Sequence, residues 1–314
     1  MLFKIILILA AIVLLISYIV YRIAFYSPNK TQNDDYSIAR GEQMDVQRET
    51  ITAMIDALNA IPYEPIVIPS DDGLWLRGRY YHRKDGAPVV IGFHGYRGTP
   101  SRDFAGGTEL YLSAGFNLLM VEQRAHCGSE GHTITFGIKE RCDCQAWIDY
   151  ARWRFTLDTP ILLAGISMGA ATVLMASGLE LPENVKGIVA DAPYTSPKAI
   201  IRKVCRDVKI PPELAYPFLW LDALVFGGFR LGAANAAEAV KHTTIPILLI
   251  HGEDDRFVPC DMGREIAAAN PAMVELHTFP DAGHGLSFLI DRARYERIAR
   301  AFFERVLHTE DVSA

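Results

Sequence analysis

The chain has 314 residues, half of them hydrophobic and 22% charged, with 31 basic and 37 acidic side chains and a formal net charge of −6. This composition excludes a disordered or low-complexity protein, and a mildly acidic chain without a stripe of Lys and Arg gives no support for nucleic-acid binding. The five cysteines form neither a disulfide framework nor a C-x-x-C zinc pair, so we interpret them as ordinary thiols.

The first element is a long apolar run near the N-terminus. Residues Ile5–Val20 carry no charge, and the apolar character continues to Tyr26. Roughly 20 helical residues at ~1.5 Å each cross the ~30 Å hydrocarbon core of a bilayer, so residues 1–26 predict a single transmembrane anchor. Tyr18 and Tyr21, with Tyr26, are typical of an interfacial aromatic belt. The alternative is a cleaved signal peptide, but the run is longer than usual for one and no Ala-x-Ala site follows.

Basic residues flank this run unequally. Lys4 precedes it, whereas Arg22, Lys30 and Arg40 follow it. Because positive residues stay preferentially on the cytoplasmic side of a membrane, this count favours a cytoplasmic location for the rest of the chain. The absence of a disulfide framework favours the same side.

Residues 27–61 are predicted to form a linker and an amphipathic helix. The stretch Ser27–Arg40 is polar, and the helical pattern follows in Gly41–Ala60, where Ile51 and Ile55 lie on one face. We expect that face to pack on the main domain. The alternative is that it lies on the membrane surface.

An alternation of short apolar runs and helical stretches fills residues 62–309. It begins with a hairpin signal around Asp71-Asp72-Gly73 and predicts an α/β domain, with a mostly parallel sheet and helices on both faces. No strand pattern occurs at about 195–243, which predicts a helical cap insertion over the carboxyl ends of the strands. Residues 310–314 are assigned to a C-terminal tail. The apolar runs are Val89–Phe93, Phe116–Val121, Ile161–Ala164, Gly187–Ala190, Ile247–Ile250 and Val274–Phe279.

The strongest chemical signal is a G-x-S-x-G motif at residues 165–169, centred on Ser167. It lies between an apolar run that ends at Ala164 and a helix-forming stretch, which is the strand–turn–helix context that the motif requires. Glycines allow a tight turn that lifts the serine hydroxyl above the sheet edge, and the following helix aims its first N–H groups at a developing oxyanion. Ser167 is therefore the predicted nucleophile.

A serine nucleophile needs a general base, and the base needs an acid that orients it. His284 is the predicted base because it lies between two glycines in the loop after the run Val274–Phe279. The acid is expected in the loop HGEDDRFVP, which follows the preceding apolar run, with Asp255 as first choice and Asp254 as second. Asp191, at the end of another run, is a third candidate.

The loop after Val89–Phe93 supplies the predicted oxyanion hole. It reads HGYRG, and the backbone N–H of Tyr96 is the expected donor because the glycine before it lets the amide turn inward. The second expected donor is the N–H of Met168, the residue after the nucleophile. His94 precedes a glycine at a strand end and is interpreted as shaping that turn.

Together the motifs FHGYRG, GISMGA, HGEDDRFVP and DAGHG resemble those of α/β-hydrolases in the serine-aminopeptidase and monoglyceride-lipase-like group, in the Ser-Asp-His order of that superfamily. The resemblance covers about residues 62–307 and implies a hydrolase with a cap. The stretch Glu122–Ser129 departs from the group's D-x-R-G-H-G-x-S loop, with Glu122 for the Asp and Cys127 for the second Gly. If that glycine has a positive φ, Cys127 predicts a changed loop shape.

These observations predict a membrane-anchored serine hydrolase that cleaves carboxylic esters or related acyl compounds. The cap is rich in apolar residues and poor in acidic ones, and an aminopeptidase would need acidic groups to hold a substrate ammonium. The alternatives are a serine aminopeptidase or amidase with the same site, and a non-catalytic hydrolase-like binding protein. The expected partners are a small acyl ester or amide and the membrane, with no nucleic acid. No metal or nucleotide motif occurs, so no cofactor is predicted.

Overall fold

The computed structural model describes residues 2–27 and 35–307, so half of the linker and all of the C-terminal tail lie outside it. The apolar runs form β3 to β8, and the hairpin signal forms β1 and β2. The strands are β1 (Glu64–Pro69), β2 (Trp75–Tyr81), β3 (Val89–Phe93), β4 (Asn117–Glu122), β5 (Ile161–Ile166), β6 (Val185–Asp191), β7 (Ile247–Gly252) and β8 (Val274–Phe279).

These strands form one sheet in the order β1-β2-β4-β3-β5-β6-β7-β8. The β1–β2 and β2–β4 pairs are antiparallel, and the remaining neighbours are parallel. Strands such as β3 and β7 are buried along their whole length. They read as continuous apolar runs because the parallel part of the sheet is covered on both faces. The predicted α/β class with a mostly parallel sheet is confirmed.

Helices cover the two faces of the sheet and extend beyond it at the N-terminus and in the cap. A 3₁₀ turn at Val240–His242 follows the last cap helix, and the cap has no strand between residues 195 and 243. The helices are α1 (Leu2–Ala24), α2 (Glu42–Asn59), α3 (Pro100–Ser113), α4 (Glu140–Arg154), α5 (Met168–Ala176), α6 (Pro197–Asp207), α7 (Pro212–Val225), α8 (Ala236–Ala239), α9 (Cys260–Ala269), α10 (Ser287–Ile290) and α11 (Arg292–Leu307).

Helix α1 has two parts with different surroundings. The side chains of Leu2–Leu9 and Ala11–Ile16 are exposed, and the helix is long and apolar enough to cross a bilayer. Ser17, Tyr21 and Phe25 are instead buried against the rest of the protein. The expectation that Tyr21 lies in an interfacial belt is therefore wrong, because its ring is enclosed by protein.

Aromatic packing holds the buried part of α1. The Phe25 ring lies 5.5 Å from that of Phe229 and 5.8 Å from that of Phe136, and both contacts are edge-to-face. The Tyr21 ring lies 5.7 Å from that of Phe226, just after α7. Edge-to-face pairs add ~0.5–1.5 kcal/mol each to the free energy of burial. The end of α1 is thus part of the hydrophobic core between the cap and the domain.

Helix α2 packs on the domain, as expected. Ile51 and Ile55 are buried in a cluster with Ala105 of α3 and with Ile38, which precedes α2. In the first turn of α2, Gln43 Nε2 donates a hydrogen bond to the carbonyl oxygen of Asp281 at 3.1 Å. The segment after α1 therefore reaches the loop that carries His284.

Candidate active site

Ser167 lies at a sharp turn between β5 and α5. Its φ and ψ are 56° and −114°, a conformation that costs a non-glycine residue of order 1–3 kcal/mol. A Cβ on Gly165 would overlap the backbone of Gly169, and a Cβ on Gly169 would overlap the carbonyl oxygen of Phe93. Both glycines of the motif are therefore required by close backbone approach, and the turn presents the Ser167 hydroxyl at the sheet edge.

The three side chains predicted as nucleophile, base and acid are joined by hydrogen bonds. His284 Nε2 lies 2.9 Å from Ser167 Oγ, and His284 Nδ1 lies 2.6 Å from Asp255 Oδ2. The residues come from loops that follow β5, β7 and β8, which all end at the same edge of the sheet. The alternative acid Asp254 makes no side-chain hydrogen bond to His284 in the described residues.

Asp255 is buried, and it remains ionised because hydrogen-bond donors of the protein surround its carboxylate. Its Oδ1 accepts hydrogen bonds from the N–H groups of Phe257 (2.9 Å) and Val258 (2.8 Å), and His251 Nε2 lies 3.5 Å from its Oδ2. Burial opposes ionisation, but interactions with His251, His284 and the Val258 N–H outweigh it and lower the pKa of Asp255 below its usual range. A fixed carboxylate of this kind can orient an imidazole and stabilise its protonated form.

Two backbone N–H groups beside Ser167 are free to bind an oxyanion. Neither the Tyr96 nor the Met168 N–H donates a hydrogen bond within the described residues. A Cβ built on Gly95 would lie 3.3 Å from Ser167 Cβ, so the loop after β3 passes directly beside the serine. These are the two donors that the sequence predicts.

Buried polar groups that the sequence analysis did not single out hold the loop after β3. Asp103 Oδ2 accepts a hydrogen bond from the Gly95 N–H at 2.7 Å, and His126 Nε2 accepts one from the Arg97 N–H at 3.0 Å. Burial lowers the pKa of His94 to about 4 and that of His126 to about 3, so both imidazoles are neutral acceptors at neutral pH. The Tyr96 amide lies between two anchored neighbours, and its orientation is fixed from both sides.

The loop with Cys127 keeps a conformation that suits glycine. Cys127 has a φ of 47°, so the side chain occupies the left-handed region rather than forcing the loop into another path. The loop is held by Glu122, whose Oε2 accepts a hydrogen bond from the Gly128 N–H at 2.8 Å. The expected change of loop shape at Cys127 is therefore not seen. The loop keeps its positive φ at this position, at the cost of local backbone strain.

The Asp191 side chain is not part of the Ser167–His284–Asp255 series, although its backbone carbonyl accepts a hydrogen bond from the Ser167 N–H at 2.8 Å. Its Oδ2 accepts a hydrogen bond from the Tyr295 hydroxyl at 3.1 Å, and its Oδ1 has no partner in the described structure. Burial raises the pKa of Asp191 to about 6. No hydrogen bond joins Asp191 to His284 in the described residues, so it does not occupy the position of the acid here.

A cavity of about 830 Å³ opens beside Ser167 and His284. Its inner end is lined by residues such as Val189 and Asp191, and one wall is formed by Ile51 and Met54 of α2. The contribution of α2 was not predicted, because an apolar helix face does not reveal its partner. Across the described residues, no cluster of three or more His, Cys, Asp or Glu side chains is suited to a metal ion.

Curated relatives are similar over much of the chain. It is 21% identical over 264 residues to the uncharacterized protein YqkD of Bacillus subtilis, covering 83% of this chain and 86% of that protein. It is 26% identical over 229 residues to the lysophosphatidylserine lipase ABHD12 of Macaca fascicularis, covering 68% of this chain and 55% of the lipase. The chain thus spans only about half the length of that lipase.

Solved structures share the fold. The esterase Pf2001 of Pyrococcus furiosus aligns with a TM-score of 0.65 and 21% identity, over 90% of this chain and 99% of that one. Est1E of Butyrivibrio proteoclasticus, solved with ferulic acid, aligns with a TM-score of 0.60 and 21% identity, over 77% and 99% of the two chains. The sequence profile of the alpha/beta hydrolase family matches residues 89–301, and the chain therefore belongs to the alpha/beta hydrolase family.

Proposed function

We propose that this protein is a membrane-anchored serine hydrolase that cleaves carboxylic esters through an acyl-enzyme intermediate. The observation that carries the proposal is the hydrogen-bonded series Ser167 Oγ–His284–Asp255 beside an open cavity. Two free backbone N–H groups, of Tyr96 and Met168, lie next to the same serine. Esterases and a lipase among the similar proteins support the same reaction class.

In the acylation step, Ser167 Oγ attacks the ester carbonyl carbon while its proton passes to His284 Nε2. The carbonyl oxygen gains the negative charge and accepts hydrogen bonds from the Tyr96 and Met168 N–H groups. Asp255 holds the other ring nitrogen of His284 and stabilises the imidazolium that forms. The intermediate collapses as the C–O bond to the alcohol breaks, and His284 returns the proton to the leaving oxygen.

Deacylation repeats these steps with water as the nucleophile. His284 takes a proton from water, the hydroxide oxygen attacks the acyl carbon, and the same N–H groups hold the second oxyanion. The bond to Ser167 Oγ then breaks and the serine recovers its proton. The products are the carboxylic acid and an enzyme ready for another ester.

The cavity favours an acyl ester over an aminoacyl amide. Its walls carry large apolar side chains, including Ile51, Met54, Phe104 and Phe288. An aminopeptidase would need a carboxylate for the substrate ammonium, and the Asp103 carboxylate of this cavity is already paired with Arg102 and the Gly95 N–H. Long-chain esters of the lipid type suit the apolar walls, and the similarity to a lysophosphatidylserine lipase supports that class.

The anchor proposal rests on helix α1. Its exposed part is uncharged from Ile5 to Ile16, whereas Tyr21 and Phe25 are core residues. Cleavage after this helix, as for a signal peptide, would remove two aromatic side chains from the core. The charges around α1 favour a cytoplasmic active site. Protease protection in sealed membrane vesicles tests that orientation, since a cytoplasmic domain is digested only in inside-out vesicles.

The full-length chain in detergent, beside its Ser167→Ala variant, tests the reaction. We expect labelling by a fluorophosphonate and turnover of p-nitrophenyl esters, with kcat reduced by ~10⁴–10⁶ in the variant. Faster serine-dependent turnover of an aminoacyl p-nitroanilide would replace esterase by aminopeptidase. A folded chain that neither reacts with fluorophosphonate nor turns over any substrate would contradict the proposal and favour a binding protein.

A further inference from the structure

The outer face of the cap helix α7 is apolar and uncovered. Leu214 is 67% exposed, Phe218 50%, Leu221 42% and Val225 58%, at the i, i+4, i+7, i+11 spacing of one helix face. A soluble surface helix normally presents charged residues on such a face. Among the described residues no other element covers it.

Helix α7 lies beside the end of α1 and runs in the same direction. The Asp222 carboxyl neighbours the Ser17 hydroxyl, and the Phe226 ring lies 5.4 Å from that of Tyr18. Leu214 precedes Asp222 by eight residues, or about 12 Å along the helix axis. The first half of α7 therefore extends from this contact toward the exposed, apolar part of α1.

The length of α1 decides where the cap lies relative to a bilayer. The uncharged stretch between Lys4 and Ser17, whose described side chains are all exposed, has about 12 residues and spans ~18 Å, against a hydrocarbon core of ~30 Å. The following turns of α1 are packed on the cap and the domain. An α1 that crosses the bilayer therefore carries the adjacent surface of the cap into the lipid.

The charged side chains next to this face are of the sign that binds anionic lipid headgroups. The chain has a net charge of −6, but α6 and the turn after it are basic. Arg206 and Lys209 are exposed there, close in sequence to the exposed apolar residues Val208 and Ile210. Basic side chains beside an apolar face are typical of segments that bind at the interface of anionic membranes.

Resting on the membrane anchor proposed above, we infer that the α7 face is a second membrane-contact surface, inserted into the leaflet that α1 leaves. Two loops that line the cavity adjoin α1 and the cap. Tyr96 and Arg97 bind the end of α1, and Phe257 lies 5.8 Å from Lys203 Nζ of α6. Contact of the α7 face with lipid therefore holds the cavity close to the bilayer that supplies a lipid ester.

A tryptophan introduced by Phe218→Trp lies on the α7 face and reports this contact directly. In the full chain, Trp75→Phe, Trp153→Phe and Trp220→Phe then leave only this tryptophan and the buried Trp147. In phosphatidylcholine vesicles with dibrominated acyl chains, we expect the signal of the introduced tryptophan to fall at least twofold relative to unbrominated lipid. The same chain with Phe218 unchanged gives the Trp147 background. Equal fluorescence of the introduced tryptophan in the two lipids, with the chain still floating with the vesicles, would overturn the inference.

Activity measurements on two kinds of ester distinguish a failure of this inference from a failure of the proposed function. Leu214→Asp combined with Phe218→Asp should leave turnover of soluble p-nitrophenyl acetate unchanged and lower hydrolysis of a long-chain ester in the vesicles about tenfold. Leu157→Asp, an equally exposed apolar residue at the opposite edge of the sheet, is the matched control. Unchanged hydrolysis in both variants refutes the lipid contact, as does crosslinking through α7 to a second copy. Loss of flotation or of serine-dependent turnover in the parent chain refutes the proposed function instead.

Discussion

Two regions meet at the candidate site, the carboxyl edge of the sheet and an N-terminal segment described at residues 17–27 and 35–44. The edge carries Ser167, Asp255 and His284 on loops whose conformation is set within a few residues. For example, Asp255 is held by the N–H groups of Phe257 and Val258. The N-terminal segment instead forms contacts that are distant in sequence, such as the 3.1 Å bond from Gln43 to the Asp281 carbonyl.

This difference means that one region carries the candidate catalytic side chains and the other shapes the cavity around them. The reacting groups depend on short strand–turn units that recur wherever a parallel sheet ends. The walls of the cavity depend on the N-terminal segment, and so does the position of the site relative to a membrane under the anchor proposed above. Changes at the sheet edge should therefore remove activity or fold, and changes at the N-terminal segment should reduce turnover by smaller factors.

Asp255→Asn tests the edge at its most sensitive point. The amide keeps the size of the side chain but loses the negative charge that stabilises the His284 imidazolium, so kcat should fall by ~10⁴ with KM little changed. Esterase kinetics on the full chain measure this. Asp254→Asn is the matched control and should stay within about twofold of the parent chain. A similar loss in both variants would assign the acid role to the loop as a whole.

Gly169→Ala tests the close packing behind the nucleophile. The added methyl would overlap the Phe93 carbonyl oxygen, so β3 and α5 must separate. We expect a loss of at least about 4 kcal/mol in the free energy of unfolding, enough to unfold many domains. Thermal unfolding in detergent checks this, with Gly232→Ala as control because a Cβ there meets no atom within 4 Å. Equal stability of the two variants would contradict the packing argument.

Asp191→Asn tests the inner end of the cavity, where burial raises the pKa of the carboxyl to about 6. An unfolded Asp ionises near pH ~4, so the folded state loses stability as the pH rises above that value, by about 3 kcal/mol once both states are ionised. The variant should therefore be more stable than the parent at pH ~8 and equal to it at pH ~4. Denaturant unfolding at both pH values measures the difference. A pH-independent difference would mean that Asp191 ionises normally.

Arg97→Ala tests the contact between the N-terminal segment and the oxyanion loop. The guanidinium donates to the Ile23 carbonyl at 2.8 Å and to the Tyr26 carbonyl at 3.2 Å, and the adjacent Tyr96 hydroxyl donates to the Ala24 carbonyl at 2.9 Å. We expect kcat on a soluble ester to fall about tenfold, roughly 1.4 kcal/mol, because the Tyr96 amide is less firmly held.

Arg97→Lys keeps the charge but cannot bridge two carbonyls as well, so its kcat should lie between those of Arg97→Ala and the parent chain. A change in KM alone would place Arg97 in substrate binding. No change in either constant would show that the end of α1 and the oxyanion loop are independent.

The sequence predicted the strands of the sheet and the side chains that the structure brings together at its edge. Continuous apolar runs identify buried parallel strands, and Ser167 and His284 each follow such a run within glycine-rich turns. The contacts of the N-terminal segment were harder to predict than those of the sheet edge. An apolar side chain such as Phe25 has the same pattern whether lipid or protein surrounds it, and its partners Phe136 and Phe229 are more than a hundred residues away. Pattern alone could not distinguish the two surroundings.

The residues that hold the loop after β3 could not be predicted from the sequence, for a related reason. Asp103 is the fourth residue of α3 and resembles any acidic residue in the first turn of a helix, yet its carboxylate binds the Gly95 N–H. His126 lies in the loop after β4, and the sequence analysis did not identify the Arg97 N–H as its partner. Cys127 was expected to change its loop, but Glu122 and its neighbours hold the backbone strongly enough to impose a left-handed conformation on a non-glycine residue.

The buried end of α1 has a consequence for how the protein is made. Phe25 and Tyr21 are synthesised before any strand of the sheet, because the helix that contains them precedes the whole α/β domain in the chain. Their partners around Phe136 and Phe226 emerge much later. With the anchor proposed above, the domain completes its core only against a helix already in the bilayer, which makes folding and membrane insertion one process. Replacement of this helix by an unrelated anchor should leave a domain that is targeted correctly but folds incompletely.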